Sequence, residues 1–168
     1  MRNTMAAGVL LALAACATGL DVHTRYDKEI DFSRYRTYAW TDGVEARTES
    51  VESAIHDAVE RGLASEGLRQ VDEASSPDLY VATSASVEEN RVVQADQWGY
   101  DLGPVGVGSA RVPVTTIPMG TLWIDLVDVD TGKLVWRGEA SRAIDGRVSQ
   151  GAVQKVVSEI FRKYPPEG

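Results

Sequence analysis

Two alternating runs, Thr115 to Val129 and Lys133 to Arg142, flank Asp130-Thr131-Gly132, and this hairpin most constrains the fold. Successive strand residues point to opposite faces, so a one-residue slip would exchange the faces. A three-residue loop with Gly132 in the left-handed conformation sets Leu126 opposite Trp136 and Leu122 opposite Ala140. The other face then pairs Val127 with Val135, Asp125 with Arg137 and Trp123 with Glu139. A two-residue loop would set Leu126 opposite Arg137 and mix the faces. The chain is therefore expected to build a sheet with one apolar face.

Helical spacing supplies the cover for that face. Val51, Ile55, Ala58, Val59, Gly62 and Leu63 recur with the period of a helix, placed from about Val51 to Glu66. Gly67 followed by Leu68 has the order of a glycine C-cap with a hydrophobic contact behind it. A second helix is expected over Ala152 to Tyr164, with Ser149 as its cap and Pro165-Pro166 as its stop. Further strands are expected over Asp21 to Tyr26, Arg36 to Trp40 and Asp78 to Val87, the last ended by Glu88-Glu89-Asn90. Gln94 to Pro113 contains four glycines, has no clear period and reads as a long loop or loosely paired ribbon. The order β-β-α-β-β-β-α predicts an α+β fold, a mostly antiparallel sheet with both helices packed on one face.

The N-terminus is a separate matter. Met1-Arg2-Asn3 is a short basic region, Thr4 to Leu13 is apolar, and small residues follow up to Cys16. That is the anatomy of a secretory signal, which has to be left out of fold reasoning. The apolar run Met5 to Cys16 is well short of the ~20 residues that span a bilayer. Cys16 is the sole cysteine, so no intrachain disulfide exists. The net charge of -8 argues against nucleic acid as a partner, because phosphate contact needs a basic face.

Leu13-Ala14-Ala15-Cys16 also resembles a bacterial lipobox. The resemblance implies diacylglyceryl attachment to the Cys16 sulfur, cleavage after Ala15 and acylation of the new amine. Residues 1–15 are then signal peptide, 16–20 a lipidated tether and 21–168 one domain. Removing the signal takes Arg2 with it and leaves 153 residues with net charge -9. The four residues Ala17 to Leu20 reach at most ~14 Å, so the domain rides close to the membrane. Its acidic surface is repelled by anionic headgroups, so no further docking of the body onto lipid is expected. By resemblance to enteric bacterial lipoproteins, Ala17 rather than Asp after the cysteine implies delivery to the outer membrane, facing the periplasm.

Asp31-Phe32-Ser33-Arg34-Tyr35-Arg36-Thr37-Tyr38-Ala39-Trp40 resembles the N-terminal signature of a bacterial lipoprotein family, domain of unknown function 4136. Pro77-Asp78-Leu79-Tyr80-Val81-Ala82 resembles its middle strand. Gly120 to Asp128 with Thr131 to Gly138 resembles its C-terminal hairpin. The similarity runs from about Leu20 to Pro166. It implies the fold and the envelope anchor, and no catalytic residue or cofactor.

The residues themselves carry little catalytic signal. Metal binding needs several convergent His, Cys or carboxylate ligands, and His23 and His56 are the two histidines. His56 lies beside Ile55 on a helix and reads as a boundary residue. A Ser-His-Asp site would need His23 as base from a terminal strand, and no Gly-x-Ser-x-Gly elbow is present. Gly103, Gly106 and Gly108 have the wrong spacing for a dinucleotide loop. Asp125 has an expected partner in Arg137, which makes it structural. No metal and no cofactor are expected.

Aromatic residues remain. Trp40, Trp123 and Trp136 fall on strands, whereas Trp98 and Tyr100 fall in the glycine-containing segment, where aromatics suit partner contact. The expected function is a non-catalytic, membrane-anchored envelope module that binds a protein or envelope component through Trp98, Tyr100 and the sheet face of Trp123. One alternative is a small-molecule or lipid carrier with a cavity between sheet and helices. The other is a hydrolase of unknown type.

Overall fold

The computed structural model of the chain describes residues 19–41, 49–93 and 114–165. Ala15, Cys16, Trp98, Tyr100 and the whole of 94–113 lie outside the described residues.

The strands are β1 (Leu20–Tyr26), β2 (Thr37–Trp40), β3 (Arg69–Gln70), β4 (Leu79–Val93), β5 (Val114–Asp128) and β6 (Leu134–Ala143). The helices are α1 (Glu49–Ser65) and α2 (Gln150–Phe161). One six-stranded sheet runs in the order β1-β6-β5-β4-β2-β3. Both helices pack against the same face, and one cluster joins Val59 and Leu63 of α1, Val157 and Ile160 of α2, and Val81, Ile124 and Trp136 of the sheet. The fold is α+β as expected.

The sheet is mixed. β1, β6, β5 and β4 are antiparallel neighbours, but β2 is parallel to both β4 and β3. Asp78 is the reason β2 lies there. Its Oδ2 accepts bonds from the N–H of Arg36 at 2.8 Å, the N–H of Thr37 at 2.9 Å and the Thr37 hydroxyl at 3.0 Å. Those bonds tie the start of β2 beside the start of β4. The two-residue β3 was not expected, since Arg69-Gln70 offers no alternation to read.

The central hairpin keeps the expected register from Met119 to Leu126, with Leu126 opposite Trp136, Leu122 opposite Ala140, Asp125 opposite Arg137 and Trp123 opposite Glu139. The turn itself differs. Asp128 faces Lys133 and Val127 faces Leu134, so the loop has one residue more than expected. A bulge at Val135 absorbs that residue, turning Val135 inward so that both Val135 and Trp136 are buried. Gly132 supplies the left-handed conformation with φ +65°. Asp128 stabilises the longer turn through its Oδ1, which accepts from the Thr131 N–H and hydroxyl, both at 2.8 Å.

β4 does not end at Glu88-Glu89-Asn90. It continues to Val93, paired with Val114 at the start of β5. Charged residues end a strand where water competes for the backbone, but here the partner strand satisfies it. β6 accompanies β5 only as far as Met119 opposite Ala143, so beyond that rung β4 and β5 form a ribbon.

The helix ends follow their local chemistry. Gly67 has φ +83°, and the Leu68 N–H donates to the Leu63 carbonyl at 3.0 Å, closing α1 with Leu68 buried. The Ser149 hydroxyl accepts from the Ala152 N–H at 3.2 Å and starts α2. Among the described residues no helix is long and apolar enough to cross a membrane.

A candidate apolar cavity between the sheet and the helix ends

Beyond the rung of Trp136, the inward face of the sheet carries much less side-chain volume. Val81, Leu126 and Trp136 share one rung, and Thr83, Ile124 and Gly138 the next. The third holds Ala85, Leu122 and Ala140, and the fourth Val87, Gly120 and Arg142. Both helices also begin at this end, at Glu49 and Gln150, so they cover the outer rungs incompletely. The volume deficit leaves a cavity of about 550 Å³.

Its floor is Ala85, Val87, Leu122 and Ala140. Val51 and Ile55 of α1 and Val153 and Val156 of α2 form the roof. Ile144 and Val148, from the segment between β6 and α2, close one side. Arg142, Asp145 and Arg147 are the charged residues of the lining. Val148 is 41% exposed and is one of two exposed large hydrophobic residues among those described. A wall of aliphatic side chains with a few polar groups at the mouth is the usual build of a small-molecule site, for which volumes run ~300–1,000 Å³.

None of these residues stands out as functional in the sequence. The signal was present in part, because Ala85, Gly120 and Ala140 are small residues at inward positions. Their adjacency appears only once three strands are in register.

The residues that the sequence did single out fall elsewhere. Trp123 is half-buried on the opposite, helix-free face, with Ser84 and Glu139 beside it in its rung. Asp125 and Arg137 form a two-pronged ion pair on that same face, and the bond to Asp125 raises the Arg137 pKa. His23 pairs with Asp21 at 3.0 Å, where both side chains are well exposed. His56 is half-buried and stacks on Trp40 with ring centroids 4.0 Å apart. Trp136 is fully buried against Phe161 and Tyr164. The structure therefore brings none of His23, His56, Asp125 and Trp123 to the cavity. Among the described residues no group of three or more His, Cys, Asp or Glu is placed to hold a metal ion.

Known proteins share this architecture. A PDZ domain protein from Parabacteroides distasonis superposes with a TM-score of 0.60 at 16% identity, over 89% of this chain and 37% of that one. This chain thus spans well under half of that protein. A DUF4136 family protein from Bacteroides thetaiotaomicron superposes with a TM-score of 0.54 at 18% identity, over 88% and 96% of the two chains. A PelC dodecamer from Paraburkholderia phytofirmans gives 0.52 at 13% identity, over 84% and 95%. At such identities the likeness is one of fold. No curated protein matches the sequence. The family described as Domain of unknown function (DUF4136) matches residues 22–166, nearly the whole of the described fold, and the chain belongs to that family.

Proposed function

We propose that this chain is a lipid-anchored envelope protein, held to the membrane through Cys16, that binds an apolar ligand in its cavity and does no chemistry on it. The observation that supports ligand binding is the cavity of about 550 Å³ with an aliphatic wall. The space opens to solvent on one side, and an apolar group that displaces poorly bonded water from an aliphatic wall gains affinity. The anchor rests on the resemblance of Leu13 to Cys16 to a lipobox. Two or three acyl chains make such anchoring stable, where one would be marginal. Of the readings drawn from the sequence, the cavity favours the small-molecule or lipid carrier.

Two experiments test the two halves. Wild-type protein should pellet with membranes after a high-salt wash and Cys16→Ala should not; a Cys16→Ala chain that stays in the pellet overturns the anchor. In isolated membranes, a photoactivatable long-chain alcohol should label peptides lining the cavity. Ala85→Phe, which projects a ring into that space, should remove the labelling while the thermal midpoint stays near that of wild type. Labelling spread evenly over the surface overturns the cavity as a binding site.

A further inference from the structure

The cavity mouth carries its own chemistry. Resting on the anchored, ligand-binding reading above, we infer that the cavity takes a single-chain anionic amphiphile, its acyl chain on the aliphatic wall and its head at Arg142 and Arg147. Three observations converge on this class of ligand.

Charge is the first. The chain as a whole is acidic, at -8, yet the charged residues of the lining are two arginines and one aspartate. Among the described residues neither Arg142 nor Arg147 forms an ion pair. Arg142 donates one long bond, 3.4 Å from its Nε to the Ala143 carbonyl. Two guanidinium groups beside an apolar space match a carboxylate or phosphate head, which they can grip in two-pronged fashion.

Placement is the second. Arg142 sits on the inward face, in the rung between Gly120 on β5 and Leu20 on β1. Gly120 has no side chain of its own there, and the Ile144 side chain covers that position, so the lining next to Arg142 is apolar. Val148, exposed at the same mouth, extends the apolar wall to the opening. An amphiphile lying along this line meets apolar groups first and cations last.

Access is the third. Leu20 is the partner of Arg142, so the chain enters the fold at the cavity end of the sheet. With Cys16 lipidated, at most ~14 Å of chain separates Leu20 from the membrane surface. The mouth is then held where free fatty acids and lysophospholipids are concentrated. The acidic body needs no attraction to the headgroups, because the tether sets the distance.

The test uses full-length protein in isolated membranes and four photoactivatable probes of one chain length. They are a fatty acid, a lysophosphatidylglycerol, a lysophosphatidylethanolamine and the fatty alcohol. The fatty acid or the lysophosphatidylglycerol should label cavity peptides, and whichever does so more strongly identifies the source of the anionic head. Arg142→Ala with Arg147→Ala should lower that labelling on the order of tenfold, as expected for losing a charge-assisted contact, and leave alcohol labelling unchanged. Acid, lysolipid and alcohol labelling that all survive the double substitution overturn the anionic head while leaving the apolar cavity standing. Absence of labelling by every probe overturns both. Cys16→Ala, recovered from the soluble fraction, is given the same four probes in vesicles; labelling that appears only in that variant means that the protein's own acyl chain fills the cavity, and overturns the exchangeable ligand.

Discussion

Tyr35 donates its phenolic O–H to Oδ2 of Asp128, 93 residues further along the chain, at 2.8 Å. Asp128 is 2% exposed and closes the β5–β6 turn, while Tyr35 belongs to the segment that carries the chain from β1 across the end of the sheet to β2. Arg34 approaches the same carboxylate at 3.7 Å. One buried carboxylate therefore fastens a turn and a crossing segment together.

That carboxylate makes stability depend on acid. Burial pushes the Asp128 carboxyl up, but the bonds from Thr131 and Tyr35 and the Arg34 charge outweigh it and hold it below the usual range. Asp78 is likewise held low by bonds from Arg36 and Thr37 that outweigh its burial. A group depressed in the folded state stabilises fully above its unfolded value of ~3.9, and that contribution is lost as pH falls through the folded value. The unfolding free energy should be flat down to about pH 5 and fall below about pH 4. Asp128→Asn should be less stable at neutral pH by about 2 kcal/mol, with a shallower acid limb. Tyr35→Phe should cost about 1–3 kcal/mol, since Thr131 bonds only Oδ1 and the buried Oδ2 is left to Arg34 at 3.7 Å. Urea titrations across pH measure all three, and an acid limb as steep in Asp128→Asn as in wild type would falsify the assignment.

Two glycines should respond differently to the same added methyl. At Gly62 a Cβ would lie 2.3 Å from the Phe161 ring, which is fixed between α1 and the stacked Trp136. Gly62→Ala should destabilise by about 2–3 kcal/mol, as overpacking of a closed core does. At Gly120 a Cβ would lie 2.5 Å from the Ile144 Cδ1, the far end of a flexible side chain beside the cavity. Ile144 can swing into that space, so Gly120→Ala should cost under about 1 kcal/mol and reduce labelling by the fatty alcohol. Thermal melts of the pair check the contrast, and equal losses would show that the space beside Ile144 does not yield.

Asp125 and Arg137 are well paired but retain 20% and 31% of their side-chain exposure. Partly solvated pairs contribute at most about 1 kcal/mol. Asp125→Asn should therefore shift the thermal midpoint by only a few degrees and leave probe labelling intact. A shift as large as that of Gly62→Ala would mean that the helix-free face is covered in the working protein.

Local chemistry made much of this fold legible. The spacing of Val51 to Leu63, the Gly67-Leu68 end, the Ser149 cap and the rungs from Leu122 to Leu126 all depend on residues near one another in sequence. The longer turn at Asp128 was not legible, because its fourth loop residue is accommodated by a bulge at Val135 that no local pattern requires. The parallel placement of β2 depends on Asp78 reaching back to Thr37, a contact between residues 41 apart.

The candidate site divides in the same way. The sequence alone determines that a signal-like segment precedes a lone cysteine, that the chain is acidic, and that one sheet face must be covered by two helices, because each rests on composition or short-range periodicity. The cavity was decided by tertiary structure alone. It is a shortage of volume shared by Ala85 on β4, Gly120 on β5 and Ala140 on β6, left open because α1 and α2 both start at that end. No single segment contains the shortage, so only the register of three strands against two helix ends can create it.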